Sequence, residues 1–455
     1  MPSGSRESTD STCSRRAVLA GVAGLPVAFA GRRPRRRLHS AASPPASRAR
    51  DTTVATWNVA LGVDLFDLFD ARSAADVRET AGDLLDNARR HPYEARAVAV
   101  ADALVAADAD VVALQEAARI RTGSAGSDAD GETVVDLLDS VRSALEARGR
   151  PFEVAASTVT TDVELPIESE SGEETVRLTD RVALLVRPGT DVRNARGDTY
   201  DERLSFPVPG TDQTATLRRG YCRADVGPRE GAFTTVSTHL ESVSASARRR
   251  QATELLDALP AKGPVVVGGD LNSGPGTTTR AHEVLTDSLT DAHERLRPDD
   301  DGDTCCRASI VGDGGAGLAK RVDGLLARGA ARPTEVERLG ADPADRLEAT
   351  VEGETVSVWP SDHAGVVGTF EIPTSTPTET PASTETPVPT RTRAAETAGT
   401  GTPNQTGTGD DRSAASGSSP SIDGSSGTTR GAGTGFGVLA AAVALAAAAF
   451  ARGRD

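Results

Sequence analysis

The sequence predicts a mixed α/β fold in which packed mixed β-sheets are flanked by helices. Three observations predict it. Short apolar, often β-branched runs alternate with segments of helical periodicity between residues 53 and 370. Several runs follow one another with no helix between them, which argues against a purely parallel doubly wound sheet. Many of the runs end at or near a short polar cluster, where a buried strand holds the departing side chain rigidly.

Taken in order, residues 53–59 are a β-branched run that ends on Asn58. Residues 91–107 have helical spacing through Val98, Ala101, Leu104 and Val105. Residues 111–114 form a short buried strand that delivers Glu116. Val134, Val135, Leu138, Val141 and Leu145 repeat at helical intervals. Residues 182–186 and 233–237 read as strands, the second delivering His239. Ser244 caps a helix carrying Leu255, Leu256 and Leu259. Residues 264–267 deliver Asp270 and Asn272, and residues 321–326 and 366–370 are the last strands. The acidic stretches 122–132 and 164–174 read as loops. The run 299–303 reads as a solvated loop, because it lacks the spaced ligands of a calcium loop.

Composition divides the 455 residues into four segments: 1–50, 51–372, 373–434 and 435–455. The first carries ten Arg against Glu7 and Asp10, and the second carries 57 acids against 34 bases, a net charge of −23. Lys262 and Lys320 are the only lysines. This balance suits a protein adapted to high salt, where self-repulsion is screened; an ordinary acidic protein from a GC-rich genome is the plainer alternative. Ser14-Arg15-Arg16 before the apolar run 17–30 reads as a twin-arginine-like export signal. The segment 373–434 is rich in Thr, Ser, Pro and Gly and reads as a disordered stalk. The last segment ends in an apolar run and a basic terminus, which reads as a membrane anchor or a sorting signal. Both ends place the core at the cell surface, in contact with export and sorting machinery and, through the C-terminal segment, the membrane.

Of the four cysteines, Cys13 lies in the first segment. Adjacent cysteines seldom bond each other, so Cys222 with either Cys305 or Cys306 is the expected bridge in an oxidising compartment.

The strand-end clusters hold carboxylates, carboxamides and imidazoles, with no paired Ser or Cys nucleophile. This set equips a site for hard-metal-assisted attack of water on a phosphate ester. Asn58, Glu116, His239, Asp270 with Asn272, Asp323 and the trio Ser361-Asp362-His363 resemble the ordered signature of the endonuclease/exonuclease/phosphatase superfamily, the DNase-I-like metal-dependent phosphohydrolases. The resemblance runs from residue 53 to about residue 372. It implies a four-layer αββα sandwich of two packed mixed sheets between helices.

The same resemblance implies the roles. Glu116 would be the main ligand of a Mg²⁺ (or Mn²⁺) ion, with Asn58 and Asp362 beside it. Asp270 and Asn272 would orient the attacking water, and His239 would stabilise charge on the phosphoryl group. Asp323 would orient His363, the general acid/base. The family usually has an aromatic after the residue matching Asp323, and Gly324 stands there. Asp303-Thr304-Cys305-Cys306 followed by Arg321-Val322-Asp323 is similar to a secreted paired-Cys subgroup. The expected partner is a phosphoester substrate acted on by a monomer. Extracellular nucleic acid is the first candidate, and a lipid headgroup or small phosphoester the second. The charge of −23 counts against nucleic acid, which needs a basic track. A non-catalytic surface module on the same fold is the competing class. Arg218-Arg219, Arg248-Arg249-Arg250, His282 and His293 are assigned to helix surfaces.

Overall fold

In the computed structural model of the protein, the described residues are 48–374, apart from 125, 127–130, 169–173, 210–213 and 313–316. The twin-arginine-like segment, the stalk and the C-terminal apolar run all lie outside them. Among the described residues no helix is long and apolar enough to cross a membrane.

Two large mixed sheets make up the body. The first runs Arg332–Leu339, Gly365–Thr374, Arg48–Asn58, Val111–Gln115, Glu174–Val186, Arg119–Ser124, Gly131–Asp136, and Glu153–Pro166 also pairs with Glu174–Val186. The second runs Thr290–Asp291, Asp323–Arg328, Val265–Asp270, Phe233–His239, Gly220–Val226, Val192–Thr199. The central pair of each sheet is parallel: Arg48–Asn58 with Val111–Gln115, and Phe233–His239 with Val265–Asp270.

The layers follow from period-two alternation along these strands. Val54, Val111, Ala113, Val182 and Leu184 of the first sheet meet Ala224, Phe233, Val266 and Leu325 of the second in one core between the sheets. The alternate residues Ala55, Trp57, Val112, Leu114 and Leu185 face outward into a second core, under the helices Ala74–Arg90, Tyr93–Ala106 and Leu137–Ala147. Val265, Val267 and Leu326 face outward from the second sheet, against Leu255 of the helix Ala245–Ala258 and Leu285 of Arg280–Thr286. Three cores separate four layers, so the fold is the expected αββα sandwich.

Several expectations need correction. Val134 and Val135 are not helical: they lie in the strand Gly131–Asp136, and the helix begins at Leu137 behind an Asp136 cap. Only the ends of the acidic stretches at 122–132 and 164–174 are strand: 122–124 pairs with the strand that begins at 131, and 164–166 and 174 belong to the paired strands Glu153–Pro166 and Glu174–Val186; residues 125, 127–130 and 169–173 lie outside the described residues. The helix Ala74–Arg90 went unrecognised, although Ser73 caps it and Val77, Ala81, Leu84, Leu85 and Ala88 form its buried stripe. His282 and His293 are buried rather than on helix surfaces. The cysteine pairing also differs: Cys305 is bonded to Cys306, and Cys222 is a free thiol wholly buried between the sheets.

Candidate active site

The site forms where the central strands of both sheets end. Asn58 and Gln115 close the parallel pair of the first sheet in register, and Glu116 follows. In the second sheet His239, Asp270 and Asp323 occupy a single row across three neighbouring strands. Gly268 lets the sheets approach closely here: a Cβ on it would stand 2.9 Å from Thr56 Cβ and 3.1 Å from Ala113 Cβ. Glu116 and Asn272 both leave their strands with left-handed backbone, at φ 52° and 48°. Asn tolerates that region, but Glu does so at a cost of order 1–3 kcal/mol, which clusters at functional positions.

Asn58 joins the two sheets: its Nδ2 donates to Glu116 Oε1 and to Asp270 Oδ2, each at 3.0 Å. Its Oδ1 accepts from Ala60 N at 3.0 Å, and Glu116 Oε2 accepts from Leu61 N at 2.7 Å. His363 Nδ1 lies 2.8 Å from Asp323 Oδ2, and His363 Nε2 lies 4.0 Å from Asp270 Oδ2. Ser361 Oγ donates to Asn58 O at 2.7 Å, tying the Ser361-Asp362-His363 turn to the first sheet.

His239 Nδ1 faces Arg219 Nη1 at 3.1 Å. A guanidinium only donates, so Nδ1 accepts and the imidazole proton sits on Nε2, 3.4 Å from Asp270 Oδ2. Asn272 Nδ2 donates to Leu240 O at 2.9 Å. Its approach to His239 Nε2 at 3.2 Å is therefore donor against donor, a close contact and not a hydrogen bond.

Electrostatics separates these groups. Burial, reinforced by Asp323, raises the Asp270 carboxyl to about 7. Burial lowers His239 well below the ordinary imidazole value, and Arg219 and His363 push it further down. For His363 burial also acts downward, but Asp323, Asp362 and Asp270 outweigh it and hold the imidazole well above its ordinary value.

The residues present fit a small divalent cation. Asp270 and Asp323 each offer a carboxylate oxygen beside His363, the atoms of the three groups all lying within 4.8 Å of one another. Asp323 Oδ1 is buried with no hydrogen-bond partner among the described residues, and the Glu116 carboxylate converges through Asn58. Asp362 stands outside that triple; it is half-buried, its Oδ1 lies 3.3 Å from Ser361 Oγ, and it lies in the field of Arg96 and Arg307.

Arginines missed in the sequence reading complete the site. Arg219, expected on a helix surface, lies between two strands, bracketed by His239 and by Asp180 at 3.8 Å, and its Nε is buried without a partner among the described residues. Arg96 is wholly buried and clamps two site loops, donating to Val59 O, to Ala60 O at 2.8 Å and to Pro360 O at 3.0 Å. Arg248 is also buried, donating to Glu241 O and Ser242 O. Arg219 immediately precedes the strand Gly220–Val226, while Arg96 and Arg248 each lie one turn into a helix, Tyr93–Ala106 and Ala245–Ala258.

The fold is a four-layer sandwich of two packed mixed sheets, with carboxylates, carboxamides and imidazoles gathered at its strand ends. The sequence profile of the Endonuclease/Exonuclease/phosphatase family matches residues 55–363, and the chain belongs to that family. Similar solved structures include a family protein from Bacteroides thetaiotaomicron, at 15% identity over 71% of this chain and 98% of that one, with a TM-score of 0.43. Another is the mannosyl-6-phosphatase Bt3783 of Bacteroides thetaiotaomicron VPI-5482, at 15% identity over 70% and 98%, with a TM-score of 0.42. A truncated Caenorhabditis elegans TDP2 matches at 17% identity over 70% and 97%, with a TM-score of 0.38. No curated protein matches the chain by sequence.

Proposed function

We propose that the protein is an exported hydrolase of phosphate esters that works with Mg²⁺ or Mn²⁺ and an activated water. The observation that carries this reading is the convergence of Glu116, Asn58, Asp270, Asp323 and His363 from both sheets on one point. A divalent cation bound by Glu116 and its neighbours would polarise a phosphoryl oxygen and ease the ionisation of water. Mg²⁺ suits hard oxygen donors that leave room for water and substrate.

The chain's own residues divide the proton work. Two groups whose environments drive their pKa values apart mark the base and the acid. Asp270, at about 7, takes the proton of the attacking water. His363 keeps its proton and gives it to the leaving oxygen, while Asp323 fixes the ring through Nδ1. His239 presents its Nε2–H to a phosphoryl oxygen, and Arg219 fixes that tautomer and adds its free Nε–H.

Phosphate esters in general, more than nucleic acid, are the substrate class this reading supports. The core's charge of −23 offers no basic track for a polyanion. The twin-arginine-like segment and the apolar C-terminal run support a position outside the cell, tethered or sorted at the surface. Incubating the full chain with plasmid DNA, RNA, phospholipid and nitrophenyl phosphates, with Mg²⁺ or Mn²⁺ and again with chelator, tests the reading. Hydrolysis that chelator abolishes is expected, and activity indifferent to chelator contradicts it.

A further inference from the structure

The disulfide between Cys305 and Cys306 lies beside the acid–base pair. Its flanking residues are bonded to Asp323 and to the neighbours of His363 on both sides. Thr304 Oγ1 accepts from Val322 N at 3.1 Å and Asp323 N at 3.0 Å, and Thr304 O accepts from Ala364 N at 2.8 Å. Arg307 N donates to Asp362 O at 3.0 Å, and Arg307 Nη1 to Ser361 O at 3.1 Å. The two sulfurs and a ring nitrogen of His363 lie within 4.8 Å of one another. Asp323 holds His363 Nδ1, and Nε2 has no hydrogen bond among the described residues.

We propose that Cys305–Cys306 is a redox-modification site which, once opened, forms with His363 a three-ligand site for a thiophilic cation such as Zn²⁺. Cys305 is 3% exposed and Cys306 is half-buried, so an external thiolate meets Cys306 Sγ first. Attack of one thiolate of a dithiol there breaks the S–S bond, forms a mixed disulfide with Cys306 and releases Cys305 as thiolate. The second thiol of the reductant displaces Cys306. Two electrons pass to the cysteines, the reductant leaves as its own disulfide, and its two protons end on the two thiols. Zn²⁺ then displaces those protons and takes two thiolates and an imidazole, a ligand set it prefers. With Nδ1 held by Asp323, the ring has Nε2 left for the cation, and the carboxylate would then be the outer partner that zinc-bound histidines commonly have. The consequence for catalysis rests on the function proposed above: a cation on His363 removes the proton donor and stops hydrolysis under reducing conditions.

The test uses the full chain, a water-soluble phosphine, which reduces the pair and leaves as its oxide, and Co²⁺ as a spectroscopic probe. The reduced protein is expected to show thiolate-to-cobalt charge-transfer absorption at one equivalent, displaced by Zn²⁺. The oxidised protein shows none. The Cys305→Ser/Cys306→Ser variant supplies the baseline for Cys13 and Cys222, and Cys306→Ser alone substitutes if the double variant does not fold. His363→Ala is expected to weaken cobalt binding about tenfold or more. A reduced protein with both thiols titrated and no such absorption overturns the proposal. So does a pair that opens only when the protein unfolds. Carboxylate ligation gives no thiolate band, so the probe reads this site even if hydrolysis is never found.

Discussion

Asn58 Nδ2 bridges Glu116 Oε1 in the first sheet and Asp270 Oδ2 in the second, at 3.0 Å each. One carboxamide thus fixes the spacing of two carboxylates that would otherwise repel. Replacing Asn58 by Ala is expected to lower kcat/KM by about 10²–10³-fold, the scale of losing a preorganised donor. Steady-state kinetics at saturating Mg²⁺ check this. A loss that extra Mg²⁺ restores would instead assign Asn58 to cation binding alone.

Asp323 raises the proton affinity of His363, so removing its charge must act in the opposite direction. In Asp323→Asn the alkaline limb of the rate profile is expected to move to lower pH, because the donor loses its proton sooner. The rate at neutral pH should fall by about 10²–10⁴-fold, the usual worth of a positioned acid or base. A pH profile of kcat/KM for both proteins reads the shift.

Asp270 carries a stability signature. Its folded-state value is raised by burial from 3.8 to about 7, so the folded protein holds a proton that the unfolded chain releases. In chelated protein its contribution to stability is therefore lost as pH rises from about 4 through about 7. The Tm of Asp270→Asn relative to the parent should be higher at pH 8 than at pH 5. Thermal melts at both pH values in chelator measure it.

Arg219 is expected to matter through its fork and not only its charge. Arg219→Lys keeps a cation beside Asp180 but loses the donor that holds the His239 tautomer. Both Arg219→Lys and Arg219→Ala should lower kcat/KM by at least tenfold, with Lys restoring only part. Full activity in Arg219→Lys would show that charge alone suffices.

The strand ends were legible in the sequence because a strand buried on both faces is a nearly continuous apolar run. The polar residue after it, such as Glu116 after Val111–Gln115 or Asp270 at the end of Val265–Asp270, then stands out. The outer hairpins were legible only at 182–186, since Glu153–Pro166 and the first part of Glu174–Val186 carry ion pairs such as Arg177–Asp162 on their solvated faces. Arg96 and Arg219 were missed for a related reason. In a chain this rich in arginine and acid, a buried guanidinium looks like one more solvated charge until its carbonyl partners are seen. Adjacency argued against the Cys305–Cys306 bond, because neighbouring cysteines seldom pair, and the folded chain carries it beside His363.

The central claim is that Glu116 and His363 belong to one cation-assisted phosphate-ester site. The most direct measurement is hydrolysis of a nitrophenyl phosphate by the full chain as Mg²⁺ is titrated, with Glu116→Ala and His363→Ala alongside. The account predicts saturable, chelator-reversible activity in the parent, a Mg²⁺ requirement raised or abolished in Glu116→Ala, and an unchanged Mg²⁺ midpoint with a much lower maximal rate in His363→Ala. Parent activity that survives in both variants, or that ignores Mg²⁺ and chelator alike, would contradict it.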